Sequence, residues 1–145
     1  MEFSVRELEE KDLENGFLEI INSFRPIGNL KNERIKEILK EIKGNTNHKI
    51  FVAVNDESKI VGTTTLFIEQ KFYHEGGLAA HIEDVVTHED FRKMGVGSAL
   101  LKQAIEAAKS AGCYKVILDC SEENSTFYER VGFKKHGVEM RMSLE

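Results

Sequence analysis

The sequence predicts a layered α/β domain in which a mixed β-sheet is flanked by helices. Two patterns support this fold class: short apolar runs typical of strands alternate with longer amphipathic stretches typical of helices, and no repeat, linker or low-complexity tract interrupts them. The chain has 145 residues, of which 41% are hydrophobic, and this is enough for one core. We therefore expect residues 1–145 to form a single domain.

The first third of the chain predicts one strand followed by two helices. Residues 3–8 alternate weakly between apolar and polar side chains, which indicates a short strand. Apolar residues recur at helical spacing over residues 13–24, and Pro26 ends this first amphipathic helix. A second apolar stripe over residues 35–42 predicts another helix, which stops at Gly44.

The middle of the chain predicts a hairpin and then a central strand. Residues 50–54 and 60–68 favour two antiparallel strands, joined by a turn at residues 55–58. After a loop, residues 78–86 form a further apolar segment, which we interpret as the central strand. It carries the acidic pair Glu83-Asp84 near its end.

The last third predicts the strongest helix of the sequence and several short elements. Residues 95–111 place their apolar side chains on one helical face. A buried strand is expected at residues 115–120 and a short helix at residues 123–130. Two closing strands are expected at residues 133–135 and 138–144.

Charge and apolar content argue against two classes of partner. The formal net charge is −5, whereas general affinity for nucleic acid comes from clustered Lys and Arg, so no nucleic-acid partner is expected. No run of about 18 apolar residues is present, and the first residues lack the apolar stretch of a secretory signal. We expect a soluble, cytoplasmic protein without a membrane partner.

Cysteines and histidines do not predict a metal centre or a disulfide framework. Cys113 and Cys120 are too few for such a framework and lack C-x-x-C spacing, so both are interpreted as reduced and mostly buried. His74, His81 and His88 recur every seven residues but fall in a loop, a strand and a strand end. They share no face, and no metal site is expected.

The sharpest local signal lies between the central strand and the strongest helix. Glycines open the backbone to a ligand, the first turn of a helix leaves NH groups unpaired, and its partial positive charge favours an anion. Arg92 and Lys93, which precede the glycines, add two full positive charges beside the start of the helix. These features occur together in the segment Arg92-Lys93-Met94-Gly95-Val96-Gly97-Ser98, which predicts a phosphate-binding loop. The plain alternative is a simple tight turn.

Other phosphate loops fit this segment less well. Leu100 replaces the third glycine of G-x-G-x-x-G, and no G-x-x-x-x-G-K-[ST] occurs in the chain. The pattern R-x-x-G-x-G resembles the loop with which GNAT acetyltransferases hold the coenzyme A pyrophosphate. Four further blocks, in the same order, resemble glucosamine 6-phosphate N-acetyltransferases of that superfamily: residues 81–86, 112–120, 124–129 and 137–140.

The resemblance is close from about Lys71 to Met142 and loose in the amino-terminal helices. It implies a GNAT-like fold, with a central mixed β-sheet flanked by helices, and acetyl-coenzyme A as cosubstrate. Backbone groups of Val85 and Val86 are implied to pair with the pantetheine arm. The full set of implied cofactor-binding residues is Val85, Val86, Arg92, Lys93, Met94, Gly95, Val96, Gly97, Ser98, Asn124, Phe127 and Tyr128.

Acyl transfer from a thioester to an amine needs a neutral amine, a stabilised oxyanion and a proton for the departing thiolate. In a regular strand, Glu83 and Asp84 face opposite ways; the plain alternative is a pair of solvated charges. Asp119 follows an apolar run, where it either caps the next helix or meets a partner. Tyr128 lies one turn beyond Asn124, on the same face, and is otherwise a core residue.

The resemblance assigns roles to these groups. It implies that Glu83 and Asp84 contact the amino sugar, with Glu83 as the acceptor of the ammonium proton. It places Asp119 against the acceptor amine and Tyr128 beside the leaving thiolate, to which a phenol with pKa near 10 can donate. The predicted catalytic residues are therefore Glu83, Asp119 and Tyr128.

Further residues are implied around the acceptor, namely Arg25, Lys71, His74, Tyr114 and Lys115 beside Glu83, Asp84 and Asp119. Arg25 stands where the family tends to have threonine, and Ser143 where a basic residue is expected. Either Arg25 or Arg141 supplies the missing charge. The family also implies a homodimer in which carboxyl-terminal strands meet.

The resulting hypothesis is direct acetyl transfer to the 2-amino group of glucosamine 6-phosphate in a ternary complex. The expected pathway is UDP-N-acetylglucosamine biosynthesis. Two alternatives remain open at this stage. One keeps the chemistry but changes the acceptor to another small amine or a protein amino group, and the other is a noncatalytic acetyl-coenzyme A-binding module.

Overall fold

A computed structural model describes residues 1–145 and contains one five-stranded β-sheet. The strands are β1 (Phe3–Glu7), β2 (His48–Asn55), β3 (Ile60–Gln70), β4 (Leu78–Thr87) and β5 (Cys113–Ile117). The helices are α1 (Leu18–Phe24), α2 (Asn32–Lys43), α4 (Val96–Ser110) and α5 (Glu122–Val131); the segment labelled α3 (Tyr73–Gly76) is a single turn in which His74 and Glu75 have left-handed backbone angles. Short 3-10 turns lie at Glu10–Asp12 and Glu89–Phe91, and a π-helical turn at Leu13–Phe17.

The strands follow one another across the sheet in chain order, from β1 to β5. The pairs β1–β2, β2–β3 and β3–β4 are antiparallel, whereas β4 and β5 are parallel. A parallel pair needs a crossover connection, and α4 provides it. The sheet is therefore mixed, as the sequence predicts.

Two hydrophobic cores cover opposite faces of this sheet. Helix α4 packs Leu100, Leu101 and Ala104 against the sheet residues Leu66 and Ile82, and all five are fully buried or nearly so. The second core lies under the amino-terminal helices and is formed by Leu8, Leu13, Phe17, Ile20, Ile35, Leu39, Val52, Ile60 and Val86. No helix of the structure combines the length and apolar character needed to cross a membrane.

The first predicted helix is interrupted, which corrects the sequence-based expectation. Asn15 and Gly16 have non-helical backbone angles, and Gly16 has φ +113°. A Cβ on Gly16 would lie 2.8 Å from the carbonyl oxygen of Ile60, so the chain turns here to approach β3. Only residues 18–24 continue as α-helix.

The two predicted closing strands are absent. No regular element follows α5, and the predicted strand at residues 115–120 lies earlier, at Cys113–Ile117. The side chains of Val138, Met140 and Met142 are 83–91% exposed. A strand requires a paired neighbour for its backbone groups, and none is present in the single chain.

Candidate active site

A β-bulge in β4 shapes the centre of the site. Thr63 pairs with Val86 and Thr65 with Glu83, so β4 carries one residue more than β3 over this interval. Asp84 lies within this bulge, and its φ of +53° falls in the left-handed region. The buried Thr64 hydroxyl donates to the Glu83 carbonyl at 3.2 Å. The alternation expected for Glu83 and Asp84 in a regular strand therefore does not hold.

The pairing of β4 with β5 ends before the bulge. Their parallel pairing begins at Leu78 and Cys113 and ends at His81 and Ile117, although β4 continues to Thr87. The stretch of β4 that includes Val85 and Val86 therefore makes no backbone hydrogen bonds to β5. Its backbone groups form a free edge of the kind that an extended ligand can pair with.

The loop before α4 has the geometry predicted for an anion cradle. Lys93 and Gly95 both have positive φ, at +64° and +83°. The first helical hydrogen bond runs from the Ala99 NH to the Gly95 carbonyl at 3.0 Å, and no side chain caps the helix. Added Cβ atoms at Gly95 would meet nothing within 4 Å. The NH groups of the first turn are consequently open to a ligand.

Small residues let α4 start close to the sheet and to α5. A Cβ on Gly62 would lie 2.6 Å from Cγ1 of Val96, and a Cβ on Gly97 would lie 3.1 Å from Cζ of Phe127. Val96 is itself buried. Of the predicted cofactor-binding residues, Val96 can therefore contact a ligand only through its backbone. The ring of Phe127 packs against Gly97 of the loop.

Acidic side chains converge at the end of the opening between β4 and β5. Partial desolvation, together with the charges of Asp84 and Asp119, raises the pKa of Glu83 above its ordinary value. Glu139 contributes in the same sense, and His81 opposes it. The predicted residues Asp84 and Asp119 are thus near enough for their charges to act on Glu83, and Glu139, which was not predicted, has a smaller effect in the same direction.

Asp119 is not a helix cap. The residue at the N-cap of α5 is Ser121, and Asp119 lies exposed in the connection between β5 and α5. Its neighbour Cys120 is also exposed, which corrects the expectation that both cysteines are mostly buried; Cys113 is partly buried and both thiols are free. Asp119 is therefore available to a ligand in the opening.

Tyr128 lies on α5, close enough to Cys120, the neighbour of Asp119, for that residue to affect its pKa. Its ring packs edge-on against Phe127 and Phe133, with centroids 5.0 and 6.2 Å away, and contacts the core beneath α4. Burial, with a smaller effect from Cys120, raises the pKa of Tyr128. The phenol stays protonated at neutral pH. Asn124 precedes it by one turn of the same helix, as predicted.

A cluster of aromatic and cationic side chains lies at the other end of β4. The rings of His74 and Tyr114 stack at 3.9 Å, and Tyr73 meets Tyr114 edge-on at 6.3 Å. Lys71 pairs with Glu69 at 2.9 Å, and this contact raises the pKa of Lys71. The Tyr114 hydroxyl is shielded from solvent; it lies close to the Tyr73 hydroxyl, which affects its pKa, but the two groups do not meet the geometry of a full hydrogen bond.

The other residues predicted to bind the acceptor do not lie together in one place. Lys115 lies 5.5 Å from the centre of the Tyr114 ring, which joins it to this cluster. Arg25 follows α1, donates to the Phe24 carbonyl at 2.7 Å and lies over the Phe24 ring. Arg141 and Ser143 belong to the exposed carboxyl-terminal segment. In the single chain no contact joins Arg25 or Arg141 to the acidic group.

Sequence reasoning missed three residues that shape this site. Thr64 holds the bulge, Gly62 admits Val96, and Glu139 reaches the acidic group. A glycine in the interior of an apolar strand is a recognised sign of close approach and was a usable signal for Gly62. Nothing local to Thr64 or Glu139 distinguishes them, because their roles arise from tertiary contacts.

Comparison with known proteins gives one consistent result. Residues 14–133 match the acetyltransferase (GNAT) family. The glucosamine 6-phosphate N-acetyltransferase of Arabidopsis thaliana is 36% identical over 140 residues, which cover 95% of this chain and 94% of that protein. The protein of the same name from Trypanosoma brucei brucei is 35% identical over 147 residues, covering 99% and 97% of the two chains.

The crystal structure of the Arabidopsis thaliana enzyme matches this chain with a TM-score of 0.96 at 36% identity, and the match covers 100% of both chains. The predicted fold class is confirmed by this likeness and by the mixed sheet with its flanking helices. On its sequence and its fold alike, the chain belongs to the acetyltransferase (GNAT) family.

Proposed function

We propose that this protein transfers an acetyl group from acetyl-coenzyme A to the 2-amino group of glucosamine 6-phosphate, by direct attack in a ternary complex. The proposal is supported by three features near the point where β4 and β5 separate. No side chain caps the start of α4, and the edge of β4 beyond His81 is not paired with β5. Glu83 lies on that part of β4 and is affected by the charges of Asp84 and Asp119, while Tyr128 lies on the helix that follows β5.

The residues at the opening fit acetyl-coenzyme A. The main chain from Arg92 to Ser98 would hold the diphosphate, because first-turn NH groups and an open glycine backbone suit an anion. The backbone of Val85 and Val86 would pair with the pantetheine arm, and Asn124 faces the same side as Tyr128. When bound, the coenzyme supplies the acetyl group in thioester form.

Glu83 is the proposed acceptor of the ammonium proton of the incoming amine. Its raised pKa brings it closer to neutrality, where a general base works best. Asp119 and Asp84 would orient the amine and the sugar hydroxyls through hydrogen bonds to their carboxylates. Three carboxylates in one place also favour a cationic acceptor over an anionic one.

Tyr128 is the proposed proton donor to the departing thiolate. Its phenol is protonated because burial raises its pKa, and its ring is fixed by Phe127 and Phe133. A thiol has an ordinary pKa of about 8.5 and a phenol one of about 10, so the protonated Tyr128 can donate a hydrogen bond to the thiolate as its charge develops.

The sugar phosphate is proposed to bind near Lys71, His74, Tyr114 and Lys115. These side chains form one cluster, and the shielded Tyr114 hydroxyl makes no full hydrogen bond within the chain. Arabidopsis and Trypanosoma relatives that span almost the whole chain carry the name glucosamine 6-phosphate N-acetyltransferase. Arg25 or Arg141 would complete the phosphate contacts in the assembled protein.

A homodimer is part of the proposal. The segment after α5 exposes Val138, Met140, Met142 and Leu144 by 83–92%, more than a stable monomer surface of this size normally leaves in one stretch. Residues alternate apolar and polar here, as in a strand that pairs across a subunit boundary. Sedimentation or light scattering of the purified chain would show the dimer mass.

The function is tested by release of the coenzyme A thiol over a panel of amines. Glucosamine 6-phosphate is expected to turn over fastest, with unphosphorylated glucosamine, polyamines, amino acids and a peptide amine well behind. Equal turnover of glucosamine and its 6-phosphate would contradict the phosphate part of the proposal. Turnover of another amine alone would change the acceptor, and coenzyme binding without any turnover would indicate a noncatalytic module.

A further inference from the structure

Glu69 lies beside the aromatic and cationic cluster, and the chemistry proposed above gives it no role. Its Oε2 atom pairs with the Lys71 ammonium at 2.9 Å. A carboxylate next to a proposed phosphate site is unexpected, because its charge repels a phosphate. The contacts of Glu69 explain why it can lie there.

The two oxygens of this carboxylate have different partners. Oε2 faces Lys71, whereas Oε1 lies 2.9 Å from Nε2 of His81. Both contacts lower the pKa of Glu69, with Lys71 as the larger cause, so the carboxylate is ionised at neutral pH and only accepts hydrogen bonds. The proton between Glu69 and His81 therefore lies on Nε2 of the imidazole.

His81 is a rigid anchor for Glu69. Glu69 of β3 pairs with Ala79 of β4, so His81, two residues further along β4, is its diagonal neighbour on the same face of the sheet. Backbone pairing holds His81 on both sides, to Phe67 of β3 and to Ile117 of β5. Side chains on paired strands are placed more precisely than those on loops. The position of the carboxylate is thus set by the interior of the sheet.

Lys71 depends on this support because it follows the last residue of β3 and has a long, flexible side chain. The pair with Glu69, together with the Tyr73 ring 5.4 Å from Nζ, holds its ammonium beside the cluster. An ammonium has three donors, so a pair with one carboxylate leaves donors for a phosphate. The Glu69 side chain is 41% exposed, and solvent therefore screens its repulsion of a bound phosphate.

We infer that Glu69 is a positioning residue for the phosphate of the acceptor, and that it acts by fixing Lys71 through one oxygen while His81 anchors the other. The inference rests on the proposed function, because it takes Lys71 to bind the phosphate of glucosamine 6-phosphate. Glu69 then contributes to the preference for a phosphorylated acceptor without contacting the acceptor itself.

The test measures the phosphate preference of the full chain, defined as kcat/KM for glucosamine 6-phosphate divided by kcat/KM for glucosamine, at saturating acetyl-coenzyme A. Glu69→Gln keeps the size of the side chain and removes its charge. This variant should lower the phosphate preference about tenfold, the size of one charge-assisted interaction, through a higher KM for glucosamine 6-phosphate at nearly unchanged kcat. Glu7→Gln is the matched control, because Glu7 pairs with Lys49 at 3.2 Å on β1 and β2, and it should leave the preference unchanged.

A double variant shows whether Glu69 acts through Lys71. Lys71→Met should lower the phosphate preference at least as much as Glu69→Gln does. Adding Glu69→Gln to Lys71→Met should lower it no further, because the group that Glu69 positions is then gone. Additive losses in the double variant would overturn the inference, since Glu69 would then act independently of Lys71.

Two other results overturn the inference as well. An unchanged phosphate preference in Glu69→Gln would show that Lys71 needs no positioning, and an increased one would show that Glu69 withholds Lys71 from the phosphate. The proposed function stands in each case if the unmodified protein prefers glucosamine 6-phosphate. If it has no such preference, the inference and the phosphate part of the proposed function fall together. If Glu69→Gln fails to fold, as its unfolding temperature would show, Glu69→Thr takes its place because threonine suits a strand.

Discussion

Gly97 meets the ring of Phe127 so closely that a methyl group on the glycine would lie 3.1 Å from Cζ of the ring. This contact joins the start of α4 to α5. The anion cradle and the helix that carries Tyr128 are therefore held together at one residue that has no side chain. Any enlargement of Gly97 must move the ring or the first turn of the helix.

Substitution of Gly97 by alanine is predicted to separate stability from coenzyme binding. Alanine favours the helix by up to about 1 kcal/mol, which offsets the displaced ring, so the unfolding temperature should change little. The affinity for coenzyme A should fall by about tenfold, because the NH groups of the first turn shift. Calorimetry checks both quantities. Gly137→Ala is the control, since a Cβ there meets nothing within 4 Å.

Two adjacent buried threonines provide a matched test of the bulge. Thr64 donates to the Glu83 carbonyl at 3.2 Å, and Thr63 donates to the Phe51 carbonyl at 2.9 Å. Thr64→Val and Thr63→Val should each cost roughly 1 kcal/mol of unfolding free energy. Only Thr64→Val should also lower kcat/KM. Equal kcat/KM in the two variants would show that the bulge is not held by Thr64.

Replacement of Tyr128 by phenylalanine removes the proposed proton donor and keeps the ring. Packing against Phe127 and Phe133 should be retained, so the unfolding temperature should be nearly unchanged. The turnover number is expected to drop by about a hundredfold, at the lower end of general acid catalysis, with little effect on KM. A large rise in KM at unchanged kcat would instead assign Tyr128 to binding.

Glu83 should destabilise the fold when it is ionised. Its pKa is raised by desolvation and by Asp84 and Asp119, so the folded protein binds this proton more tightly than the unfolded chain. The free energy of unfolding therefore falls as the pH rises from the pKa of Glu83 in the unfolded chain, about 4.3, through its higher pKa in the folded protein. Glu83→Gln should unfold at a higher temperature than the original protein at neutral pH.

The same comparison at lower pH completes this prediction. Below about pH 4 both states carry a protonated Glu83, so the advantage of Glu83→Gln should vanish. Activity should fall sharply in this variant at every pH. A gain in stability that did not depend on pH would contradict the electrostatic explanation.

The strands and the helix around the proposed cosubstrate site were predictable because their signals are local. The hairpin of β2 and β3 follows from two apolar runs and a turn, and α4 follows from its apolar stripe and the glycines before it. The turn into α4 requires a positive φ at position 95. Glycine adopts this angle readily, so its presence in the sequence indicates the turn.

Other features depend on contacts that a sequence does not display. Asp84 adopts positive φ without being glycine, because pairing of β3 with β4 on both sides of it imposes a bulge. The break at Gly16 comes from close approach to Ile60. The alternation after Phe133 is suited to a strand but finds no neighbour within one chain. Each of these outcomes was decided by a distant part of the molecule.

The most direct measurement is a crystal structure of the protein with coenzyme A, read for the distance from the coenzyme sulfur to Oη of Tyr128. The expected distance is within hydrogen-bond reach, about 3–3.5 Å, with the diphosphate on the NH groups of the first turn of α4. A sulfur atom well away from Tyr128, or a diphosphate bound elsewhere, would contradict it.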